Sequence, residues 1–258
     1  MRVESRTALN SALVVFLMFP AVLSAAEPRN KKNQAPQSVD FFQALQNRQI
    51  ELRVVVSPKF QLVAAIANRS NVPLEVKMPD VFVAMPIAGL VRTDANAAAA
   101  NPNPNPQQPP VLSPGITVAN GTDTQSVAGG FWRSGSDAGP AVLTLAPGQV
   151  AQVGATVVCL EPGKNNPKLS LPYTMLPIQY FAPGAEVSEV CRMLAQGRVS
   201  QPVAQIAAWH FNNHFTWQQL ASSPMGITFS KADIQTAMQL ATVVANTVRQ
   251  RKQPSSRP

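Results

Sequence analysis

The two histidines of the chain lie four residues apart, within the stretch AAWHFNNHFTWQQLA at residues 207–221. On one continuous helix, His210 and His214 would be one turn apart, the spacing at which two imidazoles share a zinc ion. A zincin has the sequence H-E-x-x-H, in which the glutamate activates the metal-bound water, but here Phe, Asn and Asn intervene. A metal-dependent enzyme is therefore only an alternative, and we predict neither a metal site nor a cofactor.

Local capping signals predict that the helix ends between the two histidines. Helical spacing places His210 on an apolar face, and Asn212-Asn213 favours a helix stop. Thr216 and Gln219 then fit the capping box of a second helix. We therefore predict structural roles for five residues of this stretch: His210, Trp209, Trp217, Thr216 and Gln219.

The two cysteines form the second candidate site. Cys159 ends a predicted strand, whereas Cys191 lies on the apolar face of the predicted helix AEVSEVCRMLAQG. In an oxidising compartment, an isolated pair is typical of a disulfide. The closed loop of about 30 residues would contribute about 3–4 kcal/mol to stability. We predict one Cys159–Cys191 disulfide, with two buried free thiols as the alternative.

The N-terminus has the layout of a secretory signal peptide. Arg2 and Arg6 precede an apolar run from Ala12 to Leu23, and small residues follow at 24–26. The run is too short to span a bilayer. We predict a signal peptide that is cleaved after residue 26, a secreted or cell-envelope location, and no transmembrane segment in the mature chain; an uncleaved anchor is the alternative.

The net charge of +8 is concentrated near the two ends of the chain. Basic residues cluster at residues 29–32 and again at residues 249–257, and the part between them is near neutral. It contains neither a basic aromatic stripe nor an RNP-like motif, so we predict no nucleic-acid partner. It also contains no nucleophile elbow, P-loop or dinucleotide-binding glycine motif, so we predict a protein that is not an enzyme.

Apolar and polar residues alternate with a period of two in the first half of the mature chain. The runs IELRVVV, FQLVAAIAN, VPLEVKM and VFVAMPI predict four strands between residues 50 and 87. Strands resume after residue 140, where Pro147-Gly148 predicts a hairpin turn. About seven strands with helices after them predict an α+β protein, an immunoglobulin-like antiparallel β-sandwich followed by a small helical bundle.

Composition divides the mature chain into four segments. We predict a flexible arm at residues 27–38, the β-sandwich domain at 39–182, a helical region at 183–250 and a basic tail at 251–258.

The sandwich is interrupted at residues 93–140, which include NAAAANPNPNPQQPP and few large apolar residues. Such a segment buries too little surface to offset its ordering entropy, so we predict a disordered low-complexity insert. Trp132 in this insert is a candidate binding residue, able to stack on a sugar ring or dock a partner; a lid packed over the sandwich is the alternative.

Three stretches, SNVPLEVKMPDVFVAMPI, ATVVCLEPGKNNP and CRMLAQGRVSQPVAQIAAWHFNNHFTWQQLA, resemble a group of uncharacterised secreted proteins of planctomycete-type bacteria. The resemblance covers chiefly residues 50–90 and 141–222. It implies export, a disulfide between the recurring cysteines, and a small β-domain with a variable low-complexity insert before a short helical region. The chain departs from that pattern at His214, where a glycine is expected, which weakens the metal interpretation. The resemblance implies no mechanism.

These observations predict an exported, non-catalytic structural or interaction module of the cell envelope. Its expected partner is a protein or a cell-envelope polymer of unknown identity. The first alternative is a glycan- or protein-binding module that uses the loop of Trp132. The second alternative is a metal-dependent enzyme at His210 and His214.

Overall fold

The described part of the chain begins with a short strand and ends with a long helix. The structure is a computed structural model that describes residues 35–87, 90–92, 116–118, 123–132, 141–181 and 184–252. The predicted signal peptide lies outside the described residues, as do residues 27–34 of the predicted arm. The arm differs from the prediction at its end, where residues 37–38 form part of a strand.

All the described strands precede the last four α-helices, and one short helix lies between the first two strands. The described strands are β1 Gln37–Asp40, β2 Ile50–Val56, β3 Gln61–Asn68, β4 Leu74–Lys77, β5 Phe82–Pro86, β6 Leu90–Arg92, β7 Ile116–Val118, β8 Val127–Gly129, β9 Val142–Leu145, β10 Val150–Cys159 and β11 Pro172–Leu176. The described α-helices are α1 Phe41–Gln46, α2 Ala185–Ala195, α3 Gln201–Asn213, α4 Trp217–Ala221 and α5 Lys231–Lys252. In the part of the chain that the structure describes, no helix combines the length and apolarity needed to cross a bilayer.

Six strands close into an antiparallel barrel in the order β10-β3-β2-β11-β5-β8. β10 closes it, because residues 150–156 pair with β3 and residues 157–159 pair with β8. A separate sheet has the order β1-β4-β9, in which β1 is parallel to β4 and β9 is antiparallel to it. β6 and β7 form a further two-stranded pair.

The predicted immunoglobulin-like sandwich is wrong, because the main sheet is closed and the second sheet is mixed. Alternation of apolar and polar residues shows only that one face of a strand is buried. Strands of barrels and of sandwiches both have this period of two, so the pattern does not distinguish the two folds. The predicted hairpin is also wrong. A turn is present, with Gly148 at φ +73°, but β9 pairs with β4 while β10 pairs with β3.

Successive residues of the barrel strands belong to two different apolar cores. Phe82 and Val157 pack in the core of the barrel, whereas their neighbours Val83 and Val158 pack in the core shared with the helices. Both α2 and α3 contact β10, and α2 also contacts β8. This wall of the barrel is therefore apolar on both faces, because the helices cover its outer face.

Strand β8 lies within the segment that the sequence predicts to be a disordered insert. Residues 127–129 are buried in the barrel wall, and residues 116–118 pair with β6. The small residues at the end of β8 have a steric reason. A Cβ atom on Gly130 would lie 1.9 Å from the carbonyl oxygen of Asp80 and 3.1 Å from the Cβ of Ala195 in α2. Residues 93–115, 119–122 and 133–140 of the insert lie outside the described residues.

A buried glutamine joins the helices to the barrel. Gln205 of α3 is 5 % exposed, and its side-chain amide pairs with the backbone of Cys159. The Cys159 N–H donates to Gln205 Oε1 at 2.8 Å, and Gln205 Nε2 donates to the Cys159 carbonyl at 2.9 Å. Because β3 pairs with β10 only as far as Thr156, these two backbone groups have no β3 partner. The amide of Gln205 satisfies both of them.

Other amides of α3 bind the same end of β10. Asn212 and Asn213 each donate from Nδ2 to the carbonyl of Leu160 at 3.1 Å. Gln201 Nε2 donates to the carbonyl of Val157 over a longer distance of 3.4 Å. α3 therefore lies along the end of β10, where β3 no longer pairs with it.

A chain of ion pairs links a barrel loop, α2 and α5. The Glu189 carboxylate is buried and binds both Arg192 and Arg251, and Arg192 also binds Asp80 at 2.8 Å. Burial lowers the pKa of the Arg192 guanidinium, but the hydrogen bond and charge of Asp80, with Glu189, raise that pKa above its ordinary value overall. Arg251, which the sequence assigns to the basic tail, is thus the second partner of a buried carboxylate, which needs compensation inside the protein.

We predict that Gln205→Met lowers the free energy of unfolding by about 2–4 kcal/mol, because it leaves two buried backbone groups of Cys159 without a partner. Urea denaturation of the purified chain measures this change. The matched control is Gln201→Met on the same helix, which loses one long hydrogen bond and should cost less than about 1 kcal/mol. Equal effects of the two substitutions would contradict the role of Gln205.

We predict that Gly130→Ala destabilises the protein by about 1–3 kcal/mol, because the added methyl overlaps the backbone of the β4–β5 loop. Gly154→Ala is the control, since its Cβ would meet the Leu62 carbonyl at an ordinary 3.7 Å. Thermal unfolding followed by circular dichroism compares the two variants. If both variants had the same melting temperature, the backbone at Asp80 would be able to move away from the added methyl without loss of stability, which would contradict the prediction.

Candidate functional site

The two histidines are separated by the end of α3. The helix continues through Asn213, and His214 is its C-cap in the left-handed conformation, with φ 59° and ψ 25°. The stop thus lies one residue later than the predicted Asn212-Asn213, whose side chains instead hold α3 to β10. His214 is exposed, and the spacing of four does not place the two imidazoles on one helical face.

α4 begins directly after this break with a capping box. The N–H of Gln219 donates to Thr216 Oγ1 at 3.2 Å, and the N–H of Thr216 donates to Gln219 Oε1 at 2.8 Å. These bonds satisfy donors that the first turn of a helix leaves free. They also place Trp217, the first residue of α4, opposite the last turn of α3.

His210 and Trp217 form a stacked pair. Their ring centroids are 4.0 Å apart and the rings are inclined by 24°. His210 Nδ1 lies 2.8 Å from the carbonyl oxygen of Phe215. A carbonyl only accepts hydrogen bonds, so we assign the proton to Nδ1, and Nε2 is the nitrogen left for other contacts. Both side chains are half-buried.

Trp209 has a different role from Trp217. It is 1 % exposed, in the core between the helices and the barrel. Its ring contacts Phe215 at a centroid distance of 6.1 Å and Phe229 edge-on at 5.8 Å. Its indole Nε1 has no hydrogen-bond partner among the described residues. Trp209 is therefore a packing residue, and the adjacent His210 lies at the surface.

An open groove of about 590 Å³ lies between the end of α3, the start of α4 and the middle of α5. Its apolar and aromatic lining consists of His210, Phe211, Trp217, Met238, Ala241 and Ala245. Its polar lining consists of Gln239, Thr242, Asn246 and Arg249, all from α5. A site of this size, with aromatic walls and a few polar groups, is within the range of small-ligand and peptide-anchor pockets. We name it the α5 groove.

The side of α5 that lines the groove has two kinds of residue. Gln239, Thr242, Asn246 and Arg249 are spaced by three or four positions, so they form one exposed stripe along the helix. Ala241 and Ala245 lie beside this stripe. A helix that packed fully against α3 and α4 would carry larger side chains there, so the small residues leave the space that forms the groove.

No group of three or more His, Cys, Asp or Glu side chains able to hold a metal ion occurs in the described ranges. Among the described residues, His210 is held by Trp217 and Phe215, and the lining of the α5 groove includes no carboxylate or thiol. The two histidines therefore do not form a recognisable metal site in the described structure.

Trp132 lies outside the α5 groove. It follows Phe131, which is 3 % exposed and stacks on Phe82 at a centroid distance of 5.0 Å. The Phe131 N–H also donates to the carbonyl of Pro79. Trp132 itself is half-buried and takes part in a β-bridge. Phe131, the residue before it, is thus anchored to the barrel.

The cysteines are free thiols in the structure, which differs from the predicted disulfide. Both are buried in the core shared by the helices and the barrel. Burial, with a smaller contribution from the charge of Glu161, raises the pKa of Cys159 well above its ordinary value. Burial raises the pKa of Cys191 to about 12. Both side chains act here as small apolar groups.

Sequence reasoning missed the α5 groove and Gln205. The helical spacing of polar residues from Gln239 to Arg249 could have indicated the groove. A polar stripe that runs beside alanines differs from the pattern of a helix that packs one fully apolar face against its neighbours. Gln205 had a weaker signal. A single glutamine on an otherwise apolar helical face indicates a buried polar group in need of partners, but does not show which backbone it binds.

Comparison of the chain with protein-family models, with curated proteins and with solved structures found no match.

We predict that neither cysteine reacts with iodoacetamide at pH 8 in the native protein and that both react in guanidinium chloride. The thiolate is the reactive form, and its fraction at pH 8 is very small when the pKa is raised to about 12. Mass spectrometry of intact, alkylated protein counts the modified residues. If both stayed unmodified in denaturant without reductant and reacted after reduction, the two would be joined by a disulfide.

Proposed function

We propose that the protein is an exported, non-catalytic interaction module of the cell envelope and that its α5 groove is the binding surface. The stacked pair of His210 and Trp217 at an open groove is the observation that supports this role best. The same groove is lined by the exposed Arg249, and tryptophan and arginine are among the residue types that contribute most to binding.

The surroundings of the groove also support binding. The backbone of α3 is fixed to β10 by Gln205, and the capping box fixes the start of α4. His210 and Trp217 are thus held by rigid elements before any partner arrives. Such preorganisation reduces the entropy that is lost on binding.

The test uses a substitution that fills the groove. We expect Ala245→Phe to reduce saturable cosedimentation of the purified chain with insoluble cell-envelope material from the producing organism. A loss of about tenfold in affinity corresponds to about 1.4 kcal/mol. The bound fraction is measured over a range of protein concentrations.

Ala232→Phe is the matched control, because Ala232 is exposed on the first turn of the same helix and does not line the groove. It adds the same side chain elsewhere and should leave retention unchanged. Trp132→Ala tests the alternative binding loop in the same assay. Retention lost with Trp132→Ala but not with Ala245→Phe would place binding at that loop, and retention that does not saturate would argue against an interaction module.

A further inference from the structure

We infer that the α5 groove binds an acidic peptide segment of a partner protein, with an apolar side chain against Trp217 and Met238 and a carboxylate on Arg249. This inference rests on the proposed function and names the chemistry of the partner. The structure supports it through the composition of the groove, the position of its charge and its length.

The lining has the composition of a protein–protein contact. It includes tryptophan, phenylalanine, methionine and arginine, and among the lining residues, all of them described, there is no Lys, Asp or Glu. Interface cores are enriched in the first set and depleted in the second. Met238 is 44 % exposed, and its flexible thioether is suited to packing against an apolar side chain of varied shape.

The charge of the groove lies at one end. Arg249 is exposed, and within the described ranges its guanidinium makes one long hydrogen bond of 3.4 Å, to Asn246. Arg249 therefore keeps N–H donors for a carboxylate, and a guanidinium binds a carboxylate in a bidentate geometry. Arg251, two residues further along α5, is paired with Glu189, so Arg249 is the guanidinium of this helix end that is placed for a partner.

The length of the stripe suits an extended peptide. Gln239 and Arg249 are ten positions apart, which corresponds to about 15 Å along the helix. An extended chain covers that distance with about four or five residues. Gln239 and Asn246 carry side-chain amides along this length, and Thr242, whose hydroxyl donates to the Met238 carbonyl at 3.2 Å, offers an acceptor to a peptide that follows α5.

The geometry favours a peptide over a glycan. His210 covers one face of Trp217 at a ring-centroid distance of 4.0 Å, which leaves one face of that ring for a sugar or for an apolar side chain. The groove surface beside that ring consists of the exposed Met238, the half-buried Ala245 and the buried Ala241. An apolar side chain packs against these three residues, whereas a sugar ring would place some of its hydroxyls on their apolar atoms and away from the polar stripe of α5.

The test begins with a phage-displayed library of random dodecapeptides that is selected on the full chain and counter-selected on Ala245→Phe. We expect the enriched peptides to contain an aromatic or aliphatic residue within four positions of an Asp or Glu. Fluorescence anisotropy then measures the best peptide against two charge variants. Arg249→Gln should weaken binding at least about tenfold, and Lys231→Gln, which removes a positive charge from the first turn of α5, should change it less than about twofold.

Polygalacturonate and a neutral glucan are measured in parallel as glycan probes. Enriched peptides without acidic residues, or equal effects of Arg249→Gln and Lys231→Gln, would overturn the inference. Tighter binding of polygalacturonate that is lost in Ala245→Phe would also overturn it, while leaving the groove as a binding surface. If Ala245→Phe changed the binding of no probe and did not alter retention on envelope material, the proposed function would fail with it.

Discussion

The hydrogen bonds between Gln205 and Cys159 are the interaction on which the arrangement of barrel and helices depends. β10 must pair with β3 along its first part and with β8 at its end, so the barrel closes only if β10 leaves β3. That departure exposes two backbone groups of Cys159 inside an apolar core. A single amide uses its carbonyl oxygen and one of its N–H groups, which lie in the same plane, to satisfy both, and it fixes the rotation and height of α3 against the barrel.

The α5 groove follows from this placement of α3. With its middle fixed at Gln205, the helix presents Trp209 to the core and His210 to the surface in consecutive positions. The left-handed cap at His214 then turns the chain, and the short α4 returns Trp217 to His210. α5 packs on the apolar face of α3, and its alanines leave the space above the stacked rings. The surface that we propose for binding is thus held in place by contacts that lie in the core.

Local signals in the sequence predicted local structure well. The predictions failed where the structure depends on contacts between residues that are far apart in the chain. The capping box of Thr216 and Gln219 could be predicted because both partners lie within one helical turn, and the structure contains it. The barrel was not predictable, because the period of two does not say which strand a given strand pairs with. β8 was missed because Gly129 and Gly130 are typical of a loop. In the structure, the close approach of the Thr156 carbonyl at Gly129 and of the Asp80 carbonyl at Gly130 leaves no room for a Cβ atom. The sequence favoured a disulfide over the alternative of two buried free thiols, because cysteine count and predicted location do not determine the distance between two side chains.

The pairing of Glu189 with Arg251 has a consequence for the order in which the molecule assembles. The two residues are 62 positions apart, so a nascent chain presents the carboxylate long before its distal arginine exists. Until α5 has been made, Arg192 alone compensates Glu189, and α2 lacks the neighbour that completes its burial. The helical layer therefore becomes stable only after the rest of the described fold has been synthesised. Because α5 also forms one wall of the groove, the proposed binding surface is the last part of the described fold to appear.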